Sequence, residues 1–263
     1  MELDIFVVDA FTDQQFKGNS AAVVPVIEWL SDELMQSIAA ENNLSETAYI
    51  KNVSPNQYEI RWFSPLTEID FCGHATLASA YVLFNEFNVG NQITFITQEV
   101  GHLNVILTKQ NEIEMTFPNQ KPETVSAIPI QLLNGLSIEP IEVLKNRQAY
   151  FAILENEQAV LDVNYVSEQL KQLAPLDVVV TAKSNNYDFV SRYFWPANGG
   201  DEDPVTGSIH SGLAPYWADK LGKAELLAYQ ASQRGGVLKC CVSESTVVIS
   251  GKGILYLKGK INV

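Results

Sequence analysis

The stretch IDFCGHATLASAYVLFNEF, residues 69–87, sets a thiol, a glycine and an imidazole side by side at Cys72-Gly73-His74 and follows them with small and large apolar residues that leave little polar face before Asn85. A helix that is apolar nearly all round is buried, so the segment predicts an interior helix with reactive groups at its mouth. The whole chain has only three cysteines and three histidines, which makes their meeting here either chance at a helix start or a reaction centre.

Working outward, Leu3–Asp9 alternates as a strand, and QFKGNSAAVVPVI turns at Gly18-Asn19 into an apolar run. Ser31 is placed to cap a helix from Asp32 to Glu41, with acids in its first turn. SETAYI and YEIRWFS read as strands, and QITFITQ, HLNVILTK and EIEMTFP form a meander with turns at Gly101 and Gln110-Asn111. The Pro-, Asn- and Ser-bearing run NQKPETVSAIPIQLLNG marks a boundary. The expected division is an N-terminal lobe over 1–120 and a C-terminal lobe over 121–263, with the last strand free to exchange into the first lobe.

The second stretch repeats the first in order. Strands AYFAILE, DVVVTAK and FVSRYFW, with a short helix around Val166–Leu173, lead to the polar turn PANGGDEDPVTGS, and the helix SIHSGLAPYWADKL follows. LLAYQAS, GVLKCCV, STVVIS and GILYLKG close the chain as strands. The string Q-x-x-G-x-L occurs at 98–103 and again at 233–238, an offset of 135, and the two buried helices open near Gly73 and Gly207, an offset of 134. Matching offsets and element order predict an internal duplication in an α+β chain.

The 263 residues are 46% hydrophobic and 18% charged, enough for a sizeable core. A net charge of −14 and no basic run argue against nucleic acid or an anionic membrane as partner. The opening MELDIFVVDAF has acids where a signal peptide carries basic residues, and no apolar run has the length of a membrane span. Cys72, Cys240 and Cys241 make a poor disulfide framework. A soluble protein in a reducing, cytoplasmic setting is expected.

A helix N-terminus carries unpaired N–H groups and a partial positive charge, a ready site for an anion. Two such mouths, at Gly73 and Gly207, facing one cleft would hold a carboxylate without Arg or Lys. The helix field favours neutral His74 and biases Cys72 toward thiolate. At the second mouth, Pro204 holds Asp203 extended and Ser208 can donate. Glu46, between Ser45 and Thr47 at the start of an apolar strand, is a candidate base whose burial would raise its pKa. Each also has a plainer structural reading: Cys72 as a buried filler, His74 as a bonded cap, Asp203 and Glu202 as solvated loop acids, Glu46 on an edge strand. No i, i+4 histidine pair, C-x-x-C, phosphate loop or dinucleotide fingerprint occurs, so no metal and no cofactor is expected. His102 and His210 read as structural, and Trp62, Trp195 and Trp217 as core.

Together, VVDAFTDQQFKGNSAAVV, NNLSETAYI, IRWFSPLTEIDFCGHATLASAYVLF, EDPVTGSIHSGLAPYWADKLG and QASQRGG resemble the PhzF-like proteins of phenazine biosynthesis, from Val7 to about Gly236. The resemblance implies the diaminopimelate epimerase-like fold, two similar lobes that are each a strand barrel around a central helix, related by a pseudo-two-fold. It implies a cofactor-independent isomerase, commonly a homodimer, that moves a proton between carbons of a small cyclic or unsaturated carboxylic acid. By matching motif, Glu46 takes the place of the acid/base, and His74 and Asp203 orient and polarise the substrate. Gly73, Gly207 and Ser208 lie where its carboxylate is held; Cys72 and Asn19 are accessory candidates. Ser20 and Ile209 depart from the family pattern, and Ile209 is placed to reshape the pocket. The related epimerases use two opposed cysteines; here the second mouth has Asp203 and Thr206 instead, which favours isomerisation over cysteine-assisted racemisation, while a binding protein with a retained cleft is the other alternative, weighed against the intact Glu46, His74 and Asp203.

Overall fold

The alternating N-terminal segment forms β1 (Glu2–Ala10), in a computed structural model that describes all 263 residues. There follow β2 (Asn19–Val26), α1 (Asp32–Asn42), β3 (Glu46–Ser54), β4 (Gln57–Phe63), β5 (Glu68–Ile69), α2 (Gly73–Asn85), β6 (Gln92–Ile96), β7 (His102–Leu107) and β8 (Ile113–Pro118). The remainder comprises β9 (Glu123–Thr124), α3 (Ile130–Gly135), β10 (Glu142–Lys145), β11 (Ala149–Ile153), α4 (Glu157–Asp162), α5 (Ser167–Leu170) and β12 (Asp177–Lys183). After them come β13 (Phe189–Phe194), β14 (Glu202–Asp203), α6 (His210–Leu221), β15 (Glu225–Gln230), β16 (Gly236–Val242), β17 (Thr246–Gly251) and β18 (Gly253–Asn262). The chain is a mixed α/β protein dominated by strands, and no helix is long and apolar enough to cross a membrane.

Two compact units divide it, Met1–Thr116 with Ser250–Val263, and Phe117–Ile249. The boundary lies a few residues before the Pro/Asn-rich run, and residues 250–263 group with the first unit because β18 pairs antiparallel along β1 from Glu2↔Asn262 to Ala10↔Gly253.

Each unit contains the same succession of ladders. In the first, β2 runs parallel to β3, β3 is antiparallel to β4, β4 is parallel to β6, and the two-residue β5 closes on the end of β4. In the second, β11 is parallel to β12, β12 antiparallel to β13, β13 parallel to β15, and the two-residue β14 closes on β13. The repeated string sits at the β6–β7 and β15–β16 turns, beside the pairs Ile96↔His102 and Gln230↔Gly236, and its offset of 135 sets buried Ile93, Phe95 and Val105 against buried Ala228, Gln230 and Cys240. A second repeat, Arg-aromatic-Phe at 61–63 and 192–194, keeps register. Arg61 forks onto Glu68 of β5 with both contacts at 2.6 Å, and Arg192 onto Glu202 of β14 at 2.7 and 2.9 Å. Each guanidinium also lies over its own phenylalanine, 5.2 Å from Phe63 and 5.1 Å from Phe194. Glu202 is therefore a held ion-pair partner and not the solvated loop acid its Gly-rich neighbourhood suggested.

In α2, eleven of thirteen residues are buried. Its buried hydroxyls bond back along the helix, Thr76 Oγ1 to Cys72 O at 2.6 Å and Ser79 Oγ to Ala75 O at 2.8 Å, which satisfies them without a polar neighbour. The second buried helix starts at His210 and not at Ser208; residues 207–209 form a turn ahead of it, and His210 Nδ1 bonds to Thr206 O at 2.9 Å. Ile209 is fully buried as the N-cap residue of α6, so it packs inward in its unit. Trp62 and Trp217 are core, whereas Trp195 is only half-buried because it flanks the Gly199-Gly200 turn. The short β9, β10, α3 and α4 were not anticipated; at two to six residues they are too brief to show a period.

The β1–β2 connection fixes where β2 begins. Buried Asp9 accepts from the Phe16 N–H at 3.0 Å and from the Ser20 hydroxyl. Gly18 closes the loop at φ +65°, where an added Cβ would stand 2.1 Å from the Ala10 carbonyl oxygen. Gly18→Ala is expected to lower the stability by about 2 kcal/mol or more, read as a shift of the urea midpoint; an unchanged midpoint would show that the loop relaxes freely.

Candidate functional site

In the first unit, three separate elements bring the predicted residues together. Glu46 is the first residue of β3, Asn19 the first of β2, and Cys72 and His74 straddle the start of α2. All four are buried. Glu46 Oε2 lies 2.8 Å from His74 Nε2, an ion-pair distance without a well-directed hydrogen bond, so Oε2 keeps lone pairs unengaged. On the other side of the ring, Nδ1 is 3.1 Å from Asn19 Nδ2 and 3.4 Å from Cys72 Sγ. Ser45 donates to Asn19 Oδ1 at 3.0 Å. The Asn19 amide thus bridges Ser45 and the imidazole and can meet either form of the ring by turning over.

The charge states differ from those the helix field alone predicts. Burial acts to push the His74 imidazolium down, but the Glu46 carboxylate beside Nε2 holds His74 above the usual imidazole range, and Cys72 would add to this only as a thiolate. A helix terminus contributes about 0.3–2 kcal/mol, whereas unit charges 4 Å apart interact by about 4 kcal/mol at an effective dielectric of 20. The nearby carboxylate therefore decides the charge, and the expectation of a neutral His74 is corrected. Cys72 is corrected too. Burial, reinforced by Glu46, pushes its thiol up to about 11, so it is a protonated thiol near neutral pH despite its place before the helix.

The Glu46, Cys72 and His74 ligand atoms lie within 4.8 Å of one another. Even so, the 2.8 Å between Oε2 and Nε2 is shorter than the roughly 3.3 Å that separates two ligands of a tetrahedral zinc with bonds of about 2.0 Å. The cluster is drawn to hydrogen-bonding distance. A surface hollow lined by Arg61, Trp62, Glu68, Asp70, Gln98 and Glu99 contains none of the candidate residues.

In the second unit, Asp203 belongs to β14 and accepts from Thr206 Oγ1. Fully buried Gln230 knits the turn together: its Oε1 accepts from Thr206 N at 2.9 Å, and its Nε2 donates to Asp203 O at 2.9 Å. Ser232 Oγ donates to Pro204 O at 2.7 Å. Ser208 is half-buried, and its Oγ accepts from Gln148 Nε2 at 2.9 Å. Gly207 and Ser208, just ahead of α6, match Gly73 and His74, the first residues of α2, as judged by the i→i−4 bonds of His210 to Thr206 and of Thr76 to Cys72. Sequence reasoning missed Gln230, Gln148 and Ser45. Gln230 carried a signal, since it takes an inward position in LLAYQ where an apolar residue is expected; the other two carried none.

A strand-rich α/β chain here sets a buried carboxylate against an imidazole at a helix mouth. The chain belongs to the phenazine biosynthesis-like (PhzC-PhzF) family, whose model matches residues 8–259. It is 45% identical to an uncharacterized isomerase of Pseudomonas aeruginosa, over 100% of both chains. A crystal structure of a PhzF-family phenazine biosynthesis protein from Enterococcus faecalis superposes with a TM-score of 0.94 at 41% identity, covering 100% of each chain. A hydroxyproline epimerase from Agrobacterium vitis shares the fold at 9% identity, with a TM-score of 0.62 over 99% of this chain and 92% of its own. The names of the relatives support an isomerase-type function.

Two measurements check the charge states. Ring-nitrogen NMR is expected to find both His74 nitrogens protonated near neutral pH, with a midpoint well above the model imidazole value of about 6.5. The pair's contribution to stability is then complete below that value and fades as pH rises through the folded-state midpoint. A midpoint at or below the model value would remove the assigned pairing. Iodoacetamide on the folded protein should label exposed Cys241 and leave buried Cys72 and Cys240 unmodified, by mass spectrometry; prompt loss of the Cys72 thiol would contradict its burial.

Proposed function

We propose that this protein is a cofactor-independent isomerase that moves a proton between carbons of a small, cyclic or unsaturated carboxylic acid. The single observation that carries the reading is the Glu46 carboxylate held 2.8 Å from the His74 imidazole at the mouth of α2. Glu46 removes a proton from a carbon made acidic by conjugation, leaving a delocalised enolate, and returns it to another carbon of the same system. Because one carboxylate takes and gives the same proton, the step balances without an oxidant or a second base. His74 supplies a positive N–H group that orients the carboxylate and polarises the substrate. Asn19 and Ser45 hold the ring.

The roles proposed for the other residues follow from the family resemblance and from the donor chemistry of each unit by itself. Asp203, fixed by Thr206 and Gln230, orients and polarises. The N–H of Gly73 in the first unit, and the N–H of Gly207 with the Ser208 hydroxyl in the second, are each suited to receive a carboxylate. A cysteine-assisted racemase is disfavoured, since a thiol raised to about 11 makes a poor base at neutral pH. A homodimer in the cytoplasm belongs to this reading.

Incubation in deuterium oxide with a panel of small unsaturated acids, a dihydro-hydroxyanthranilic acid among them, tests it. Glu46→Gln is expected to slow carbon-bound deuterium incorporation by about 10²–10⁴-fold, while Cys72→Ala keeps most of the rate. Exchange that persists in Glu46→Gln would show that another group is the base, and no exchange with any acid in the native enzyme would favour a binding protein.

A further inference from the structure

The second unit contains a buried carboxylate with no place in the reading above. Thr47 pairs with Phe63 and Val178 with Phe194, so the residues preceding them, Glu46 and Asp177, occupy the same register position at the start of β3 and β12. Both are 8% exposed. Glu46 touches the residue after the helix-mouth glycine, His74, directly. Asp177 reaches the corresponding residue, Ser208, through two intermediates. Tyr193 donates its hydroxyl to Asp177 Oδ2 at 2.6 Å, Gln148 Nε2 donates to the Tyr193 oxygen at 3.1 Å, and the same Nε2 donates to Ser208 Oγ at 2.9 Å. Asn198 Nδ2 donates to the remaining Asp177 oxygen at 2.8 Å.

Every direction in this chain follows from one end. A carboxylate only accepts, so the single phenolic proton of Tyr193 is committed to it. The Tyr193 oxygen can then only accept from Gln148, which forces the amide to present Nε2, not Oε1. A turned-over amide would set Oε1 against an oxygen with no proton to offer. With Nε2 toward Ser208, the Ser208 oxygen is an acceptor on that side and its own proton must point elsewhere.

We propose that Asp177, Tyr193 and Gln148 are positioning residues that occupy one acceptor position of the Ser208 hydroxyl and turn its proton away from Gln148, so that the proton is presented to an acceptor such as a carboxylate oxygen; the ligand half of this rests on the assignment of Ser208 to the substrate carboxylate. The charge states fit. Burial, opposed by the bonds from Tyr193 and Asn198, raises Asp177 to about 6, so it remains a carboxylate at neutral pH, and burial together with Asp177 holds Tyr193 well above the usual phenol range.

Neutron diffraction on the deuterium-exchanged native protein at slightly alkaline pD decides the chain. Deuterons are expected on Tyr193 Oη toward Asp177 and on Gln148 toward both Tyr193 and Ser208, with the Ser208 deuteron directed away from Gln148. A Ser208 deuteron aimed at a Gln148 carbonyl would overturn the proposal. A double-mutant cycle with benzoate as the carboxylate probe, followed by NMR titration, tests the coupling. Tyr193→Phe frees the amide to turn and should weaken benzoate about three- to tenfold, but it should add nothing in a Ser208→Ala background. An equal loss in both backgrounds would show that Tyr193 acts through general structure and would overturn its positioning role. If the native protein fails to bind benzoate while the deuterons lie as expected, the carboxylate assignment of Ser208 fails and the positioning chain stands.

Discussion

The interaction on which both helix mouths depend is the forked arginine–glutamate pair that occurs once in each unit. A two-residue strand cannot hold itself against a sheet, because it has too few ladder bonds to offset the entropy of ordering it. Arg61 and Arg192 supply what β5 and β14 lack. Each guanidinium presents two parallel donors to one carboxylate and stacks on a phenylalanine of its own strand, a geometry that lysine cannot reproduce. With the short strand pinned, the next few residues must enter the buried helix from one fixed direction, and the glycine-led mouths follow. In the second unit the pin lies next to Asp203, so an ion pair that reads as surface charge in sequence holds a candidate site residue in place.

The chemistry of the first cluster is set by a contest between two fields. The helix terminus disfavours positive charge on His74 and favours a thiolate at Cys72, and on that ground alone a cysteine would be the reactive group. The Glu46 carboxylate reverses the first preference in spite of burial, and burial reinforced by Glu46 reverses the second. The cluster becomes a carboxylate–imidazolium pair with a neutral thiol beside it, which suits a single acid/base on carbon. The second unit answers the same register positions with different residues, aspartate for glutamate and serine for histidine, and separates them by a tyrosine and a glutamine. One topology thus carries a direct carboxylate–imidazole pair in one unit and a relayed carboxylate–hydroxyl chain in the other.

Much of the fold was legible in the chain. The apolar run after His74, the Gly18-Asn19 turn, the Ser31 cap and the meanders all report local constraints: periodicity, positive φ, capping. The repeat was visible as matching offsets, and Arg-aromatic-Phe, ending opposite Thr47 in one unit and Val178 in the other, marks it a second time. Short elements between 121 and 165 were invisible because they are held by long-range pairing, as when β10 joins β11 and β9. Glu46, Asp203 and the mouth residues stood out from their local setting, and their roles came from motif resemblance. Their supports, Ser45, Gln148 and Asp177, carry no local pattern, since any polar residue near a turn reads alike.

By itself, then, the sequence determined the elements, their duplication and the residue types at the helix mouths, because these depend on near neighbours along the chain. Only the tertiary structure decided which charges those residues carry and which way their hydrogen bonds run. Desolvation and ion pairing act through space over a few ångströms, and they depend on strands that sequence order leaves far apart: β2, β3 and α2 around His74, and β11, β12 and β13 behind Ser208.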